Sequence, residues 1–513
     1  MKKSKKLVLA GFVLLAAITG LLALTGCKTE VDTSSPQQEQ ADDEDCTYDE
    51  ATNTYTVYTA DGLFAVAELV NGGAYSANIT LAADIVLNEN LADKVTVAED
   101  GTVSADTSVR TWMPMGGEYQ GTFDGGNHTI TGLYCAYNGY SETGLISTLA
   151  EGATVKNVKI HDFCLEVNCG GAVVSCNRGE VIGCSISGTG ILGWITNYQY
   201  VGGVVAFNDG TVKDCTSSAA LTFRGIGYFG GIVGQNMTSQ ATIIGCSNSG
   251  TITAAGYVEM NVGGITGGGM GTVKDCYNTG SISTTVEDGS VQVGGIAGWM
   301  EGTVSGCYNT GSISATVEDG SVRVGGIAGK AEGTVSGCYN IGSVDSGTYS
   351  GGIAANAYGG TFADCYYLDT CVKTGSPEYS SADGITEKTS DQFASGEVAY
   401  LLNGDQSTIT YRQTLGTDAY PSFTGGTVYR VGVTCTEGAE AYANTQSDLD
   451  HNYTDGICTA CGEVYDHSGS TNTAVTDRGN GTHGYDCTVC GLLLPKPMQW
   501  MSPLASAASA ALT

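Results

Sequence analysis

The 513-residue chain carries 53 acidic against 21 basic residues, a formal charge of −32, and holds 76 glycines but only seven prolines. That charge repels nucleic acid and anionic lipid surfaces, and the glycine–proline balance excludes a collagen-like chain or a Pro-rich spacer. Abundant Gly with Thr, Ser, Val, Ile and Tyr suits many short strands joined by tight turns.

The chain opens on Lys2, Lys3, Lys5 and Lys6, continues through an apolar run from Leu7 to Leu24, and reaches Leu24-Thr25-Gly26-Cys27. A basic segment, an apolar run and small residues read as a secretory leader over residues 1–27. The cysteine placed directly after the small residues resembles the bacterial lipobox. That resemblance implies acylation (palmitate) on Cys27 and an extracytoplasmic chain anchored through lipid to the membrane or cell surface. The alternative is a plain membrane-spanning anchor, since the apolar run just reaches the lower limit for a span. Residues 28–50, with Asp42-Asp43-Glu44-Asp45, are too polar to fold and read as a tether.

An N-terminal cap with the first strands is expected over 51–120. Tyr55 to Tyr58 reads as a strand. Thr59 or Asp61 can cap a helix through Leu63, Phe64, Ala67, Leu69 and Val70, which Gly72-Gly73 ends. Strand patterning starts at Ile79.

From there a period of about 31 residues governs the chain. Cys184, Cys215, Cys246, Cys276, Cys307 and Cys338 fall on it, and glycine pairs keep the same beat at 202–203, 230–231, 263–264, 294–295, 325–326 and 351–352. Each unit holds three short apolar runs, for example Val293 to Ala297, Gly302 to Cys307 and Gly311 to Thr316. Three strands per period leave no room for a helix, so one period is one coil of a solenoid, and coils bury their inner faces only by stacking. The predicted fold class is all-β: a right-handed parallel β-helix with short helical caps and a small C-terminal Cys-rich module. Stacking puts Ile296 over Ile327, Val304 over Val335, Cys307 over Cys338 and Asn309 over Asn340. The cysteine row then reads as a structural ladder of small buried fillers, with axial disulfides the alternative that the spacing allows.

The units Gly-Gly-Ile-Ala-Gly and Gly-Thr-Val-Ser-Gly-Cys-Tyr-Asn-Thr-Gly-Ser resemble the GLUG repeat of bacterial surface proteins over residues 121–370. That repeat also occurs beside IgA1-specific metallopeptidases and in haemagglutinin-like adhesins. The resemblance implies a surface lipoprotein that binds or displays. None of the five histidines lies in an HExxH motif, so the peptidase chemistry is not expected.

Residues 371–434 read as a C-terminal cap: one amphipathic helix from Thr389 or Ser390 to Leu402, then two or three strands between Tyr411 and Val431. Over 435–495, Cys458, Cys461, Cys487 and Cys490 form two CxxC pairs that can enclose zinc, form disulfides or, less in keeping with the context, act in redox chemistry. Residues 496–513 read as a disordered tail.

No nucleophile elbow or phosphate loop is present. Carboxylates that a glycosidase or polysaccharide lyase could use include Asp214 with Asp275, Glu287, Asp288, Glu318 and Asp319, and Asp124 beside His128. Their recurrence at matching places of the repeat favours turn roles. Three readings follow: a monomeric surface adhesin that binds a host glycan or protein without catalysis, a carbohydrate-active β-helix enzyme, and a passive spacer for the cysteine module.

Overall fold

In a computed structural model, the described residues are 45–433 and 440–445, except 99–102, 137–141, 167, 257, 347, 374–376 and 379–382; beyond them only the backbones of a few short strands are described. The chain divides into two units, Met1–Thr389 and Ser390–Thr513.

The first unit is a parallel β-solenoid of about eight turns. One coil illustrates all of them. Ala297–Met300 lies in the first wall, Thr303–Ser305 in the second, and Tyr308–Asn309 with Ile313–Gly325 in the third. The next coil repeats each wall in parallel register: Ala297 against Ala328, Val304 against Val335, Asn309 against Asn340 and Ile313 against Val344. The first wall has nine strands.

Inward side chains from the three walls form one continuous apolar core that includes Val293, Ile296, Val304, Cys307 and Ile313. Asn248, Asn278, Asn309 and Asn340 run along the axis, each amide nitrogen donating to the next side-chain oxygen at 2.8 Å. Tyr277, Tyr308 and Tyr339 stack beside them with centroids 4.9 and 5.1 Å apart.

The run Val293 to Ala297, expected as one strand, is instead a corner between the third and first walls. Gly294 and Gly295 make it possible, because a Cβ on Gly294 would strike the Ala297 carbonyl and one on Gly295 the Gly326 carbonyl.

At the N-terminal end, Thr59 caps the helix Ala60–Asn71: its hydroxyl accepts from Gly62 N and donates to Asp45 Oδ1 at 2.6 Å. Gly72 closes the helix. One boundary differs from the sequence expectation: Cys46–Asp49 is a strand paired with Thr54–Val57, so strand structure lies inside the expected tether. Asn78–Leu81 pairs in parallel with Thr54–Val57 and with the strand that carries Phe123, where the sheet was expected to start.

The other end also differs. Ile385–Lys388 pairs with Cys365–Leu368 and belongs to the first unit, so the expected 371–434 cap is divided. In the second unit the single expected helix is two, Ser390–Ala394 and Glu397–Leu402, broken where Gly396 takes a left-handed conformation with φ 91°. Of the strands expected between Tyr411 and Val431, there is a lone antiparallel bridge between Arg412 and Ser422 and the strand Tyr429–Val433, which pairs with Glu440–Ala443.

Candidate binding seam

The glycine corners set two rows of positions on either side of a seam between the third and first walls. In six coils one position stands two before the Gly-Gly pair and its counterpart seven residues later; in the coil before them Cys169 stands two before Gly171-Ala172. The pairs run Cys169/Cys176, Tyr200/Phe207, Tyr228/Gln235, Asn261/Gly268, Gln292/Trp299, Arg323/Lys330 and Tyr349/Asn356. Parallel register stacks each row along the axis.

Contacts across the seam change along its length. Towards the N-terminus Thr148 Oγ1 donates to Glu142 at 3.3 Å. The Cys169 and Cys176 thiols are hydrogen-bonded, and with the Ser175 hydroxyl at 3.4 Å that contact holds Cys169 below the ordinary thiol range. The Tyr200 ring meets the Phe207 ring edge-on at 5.7 Å and stacks on Tyr228 at 5.9 Å. Burial pushes the neighbouring Tyr198 hydroxyl up to about 12, so it stays a protonated donor.

Farther along, Gln292, Trp299, Arg323, Lys330 and Asn356 line a cleft of about 260 Å³. Arg323 makes a two-pronged pair with Glu378, Nε to Oε2 at 2.6 Å and Nη2 to Oε1 at 2.9 Å, and also donates to Ser290 Oγ at 3.0 Å. Asn356 Nδ2 donates to the same carboxylate at 2.6 Å. The Arg323 guanidinium holds Glu378 below the usual carboxylate range. Lys330 Nζ sits 4.5 Å from the Trp299 ring centroid and 2.9 Å from Glu332. Several polar atoms at the seam have no protein partner: Gln292 Oε1, Trp299 Nε1, Gln235 Oε1 and both amide atoms of Asn261.

The carboxylates singled out from sequence do not gather here. Asp214 and Asp275 are turn residues with φ 53°, two coils apart with Gly245 between them. They belong to a left-handed row with Gly183, Gly306, Gly337 and Asp364. Glu287, Asp288, Glu318 and Asp319 lie on the third wall's long strands, with Asp288 in register with Asp319. Asp124 accepts from Gly126 N and Asn157 Nδ2, whereas His128 faces Asp84 at 3.4 Å. That pairing gives Asp124 and His128 separate partners.

The six ladder cysteines, Cys184 to Cys338, are buried with free thiols. Backbone N–H groups of Cys215, Cys246, Cys276 and Cys307 each point at the next sulfur at 3.3–3.4 Å. Burial pushes the Cys184, Cys246 and Cys307 thiols up. Cys458, Cys461, Cys487 and Cys490, the expected zinc ligands, have side chains outside the described residues, as does Cys27. The Cys27 backbone pairs with that of Cys46, and Cys46 is disulfide-bonded. Among the described residues no helix is long and apolar enough to cross a membrane.

The seam went unnoticed in the sequence because its members differ chemically from coil to coil. The signal that marks them is position: two before and five after the glycine that opens each corner, Gly171 and its counterparts from Gly202 to Gly351.

No protein-family model matches the chain, and no curated protein matches it. Among solved structures it is similar to a chain described as IgA1 Protease, at 15% identity and a TM-score of 0.33, over 92% of this chain. It spans 36% of that chain's length.

Proposed function

We propose that this is a cell-surface β-solenoid that binds a host glycan or protein along the corner seam, without turning it over. The observation that carries the reading is the cleft at Gln292, Trp299, Arg323 and Lys330, where buried polar atoms lack protein partners. A buried polar group without a partner costs roughly 1–3 kcal/mol, which a ligand's own polar groups can recover. The GLUG-like repeats fit the same surface role.

The test is binding of residues 28–513 to an array of glycans and host proteins, beside a chain ending at residue 445, which keeps the strand Glu440–Ala443. Equal binding by both supports the solenoid as the binding element. Loss of all binding on truncation would instead make the solenoid a spacer for the cysteine module.

Surface anchoring through a lipid on Cys27 is part of the proposal. Intact mass of the exported protein tests it: an acylated Cys27 supports the anchor, and an unacylated Cys27 contradicts it.

A further inference from the structure

We infer that the cleft at the C-terminal part of the seam is a subsite for a neutral saccharide unit. The inference rests on the seam being a binding surface, and it adds the ligand's chemistry.

Charge comes first. The two cations lining the cleft are already matched: Arg323 by the two-pronged contact with Glu378, Lys330 by Glu332 at 2.9 Å. No surplus positive charge remains to hold a uronate, sialate or phosphate. The chain's charge of −32 opposes the approach of any polyanion.

Hydrogen-bonding capacity comes second. Gln292 is 7% exposed. Its Nε2 is used on Ser290 Oγ at 2.8 Å, while Oε1 has no partner. Trp299 lines the same cleft, and its indole N–H has none either. Of these two lining residues, one thus carries an unmet acceptor and the other an unmet donor. A hydroxyl is the group that can donate to the first and accept from the second, and a sugar ring presents several at short spacing. The cleft's 260 Å³ falls below the ~300–1000 Å³ of drug-sized sites, so it takes one small unit of a longer chain.

A peptide fits less well. Extended peptides gain affinity by adding a strand to an open sheet edge. Here the strands that carry Gln292 and Trp299 are each paired on both sides by neighbouring coils, so no such edge is offered.

The test titrates neutral hexasaccharides built from glucose, mannose and N-acetylglucosamine, beside hexagalacturonate, into residues 28–513 while reading tryptophan fluorescence. At least one neutral hexasaccharide should give a saturable change. Trp299→Phe should remove the signal, and Gln292→Leu should weaken binding at least about tenfold, a loss of about 1.4 kcal/mol. Melting curves establish that both variants fold, and Trp299→Phe keeps the assay decisive should Gln292→Leu fail to.

Three outcomes overturn the inference: no saturation by any neutral hexasaccharide up to about 10 mM, unchanged affinity in Gln292→Leu, or tighter binding of hexagalacturonate. The first would mean that water alone fills the cleft. Host proteins binding on the array while every saccharide fails would remove the ligand class and leave the seam reading standing. Silence in both assays would remove both.

Discussion

Asn309 holds the solenoid together in two directions. Its Nδ2 donates along the axis to Asn340 and across the turn to Gly311 O at 2.9 Å, while its Oδ1 accepts from Asn278. Asn309→Leu keeps most of the volume but strips these partners, each of which costs roughly 1–3 kcal/mol if left buried and unmet. The variant should lose about 2–4 kcal/mol in chemical denaturation; a loss below about 0.5 kcal/mol would mean that the row is ornamental.

Glu378 gives the second residue-scale prediction. Its carboxyl is depressed in the fold by Arg323, so its stabilising contribution is full above the unfolded value near 4.3 and is lost as pH falls through the folded one. The difference in melting temperature between the natural chain and Glu378→Gln should therefore be largest near neutrality and shrink below about pH 4. A difference that stays constant across that range would contradict the pairing.

At the scale of elements, legibility followed repetition. Identical residues at one period specify stacking whatever the local geometry, so the ladders of Val304, Cys307 and Asn309 could be read directly. The corner could not. Val293-Gly-Gly-Ile-Ala carries the alternation of a strand, and only steric exclusion of a Cβ at Gly294 and Gly295 shows that the chain folds there. The N-terminal helix was legible because Thr59 and Gly72 are ordinary cap residues in ordinary places. The split at Gly396 was not, since a glycine inside an amphipathic pattern is often tolerated and here its left-handed conformation ends the turn. The seam was hidden for a third reason: a row holding Cys, Tyr, Asn, Gln and Arg has no compositional signature, although each member stands two residues before the glycine that opens its corner.

At the scale of the molecule, the stack couples each coil to the coils above and below, so stability is set by nearest-neighbour interfaces. Side chains that vary without disturbing the core are those that face away from it or into the seam. The core rows repeat almost without change, while the seam changes from thiols through aromatics to amides and then charges. That gradient lets one scaffold present different chemistry along a single line. The measurement that bears most directly on this view compares residues 28–513 of the natural sequence with the Gln292→Leu/Trp299→Phe double variant on one array of glycans and host proteins. The expected result is that ligands captured by the natural chain lose at least about tenfold in affinity for the variant, with its melting temperature nearly unchanged. Undiminished capture by a folded double variant would contradict binding at the seam.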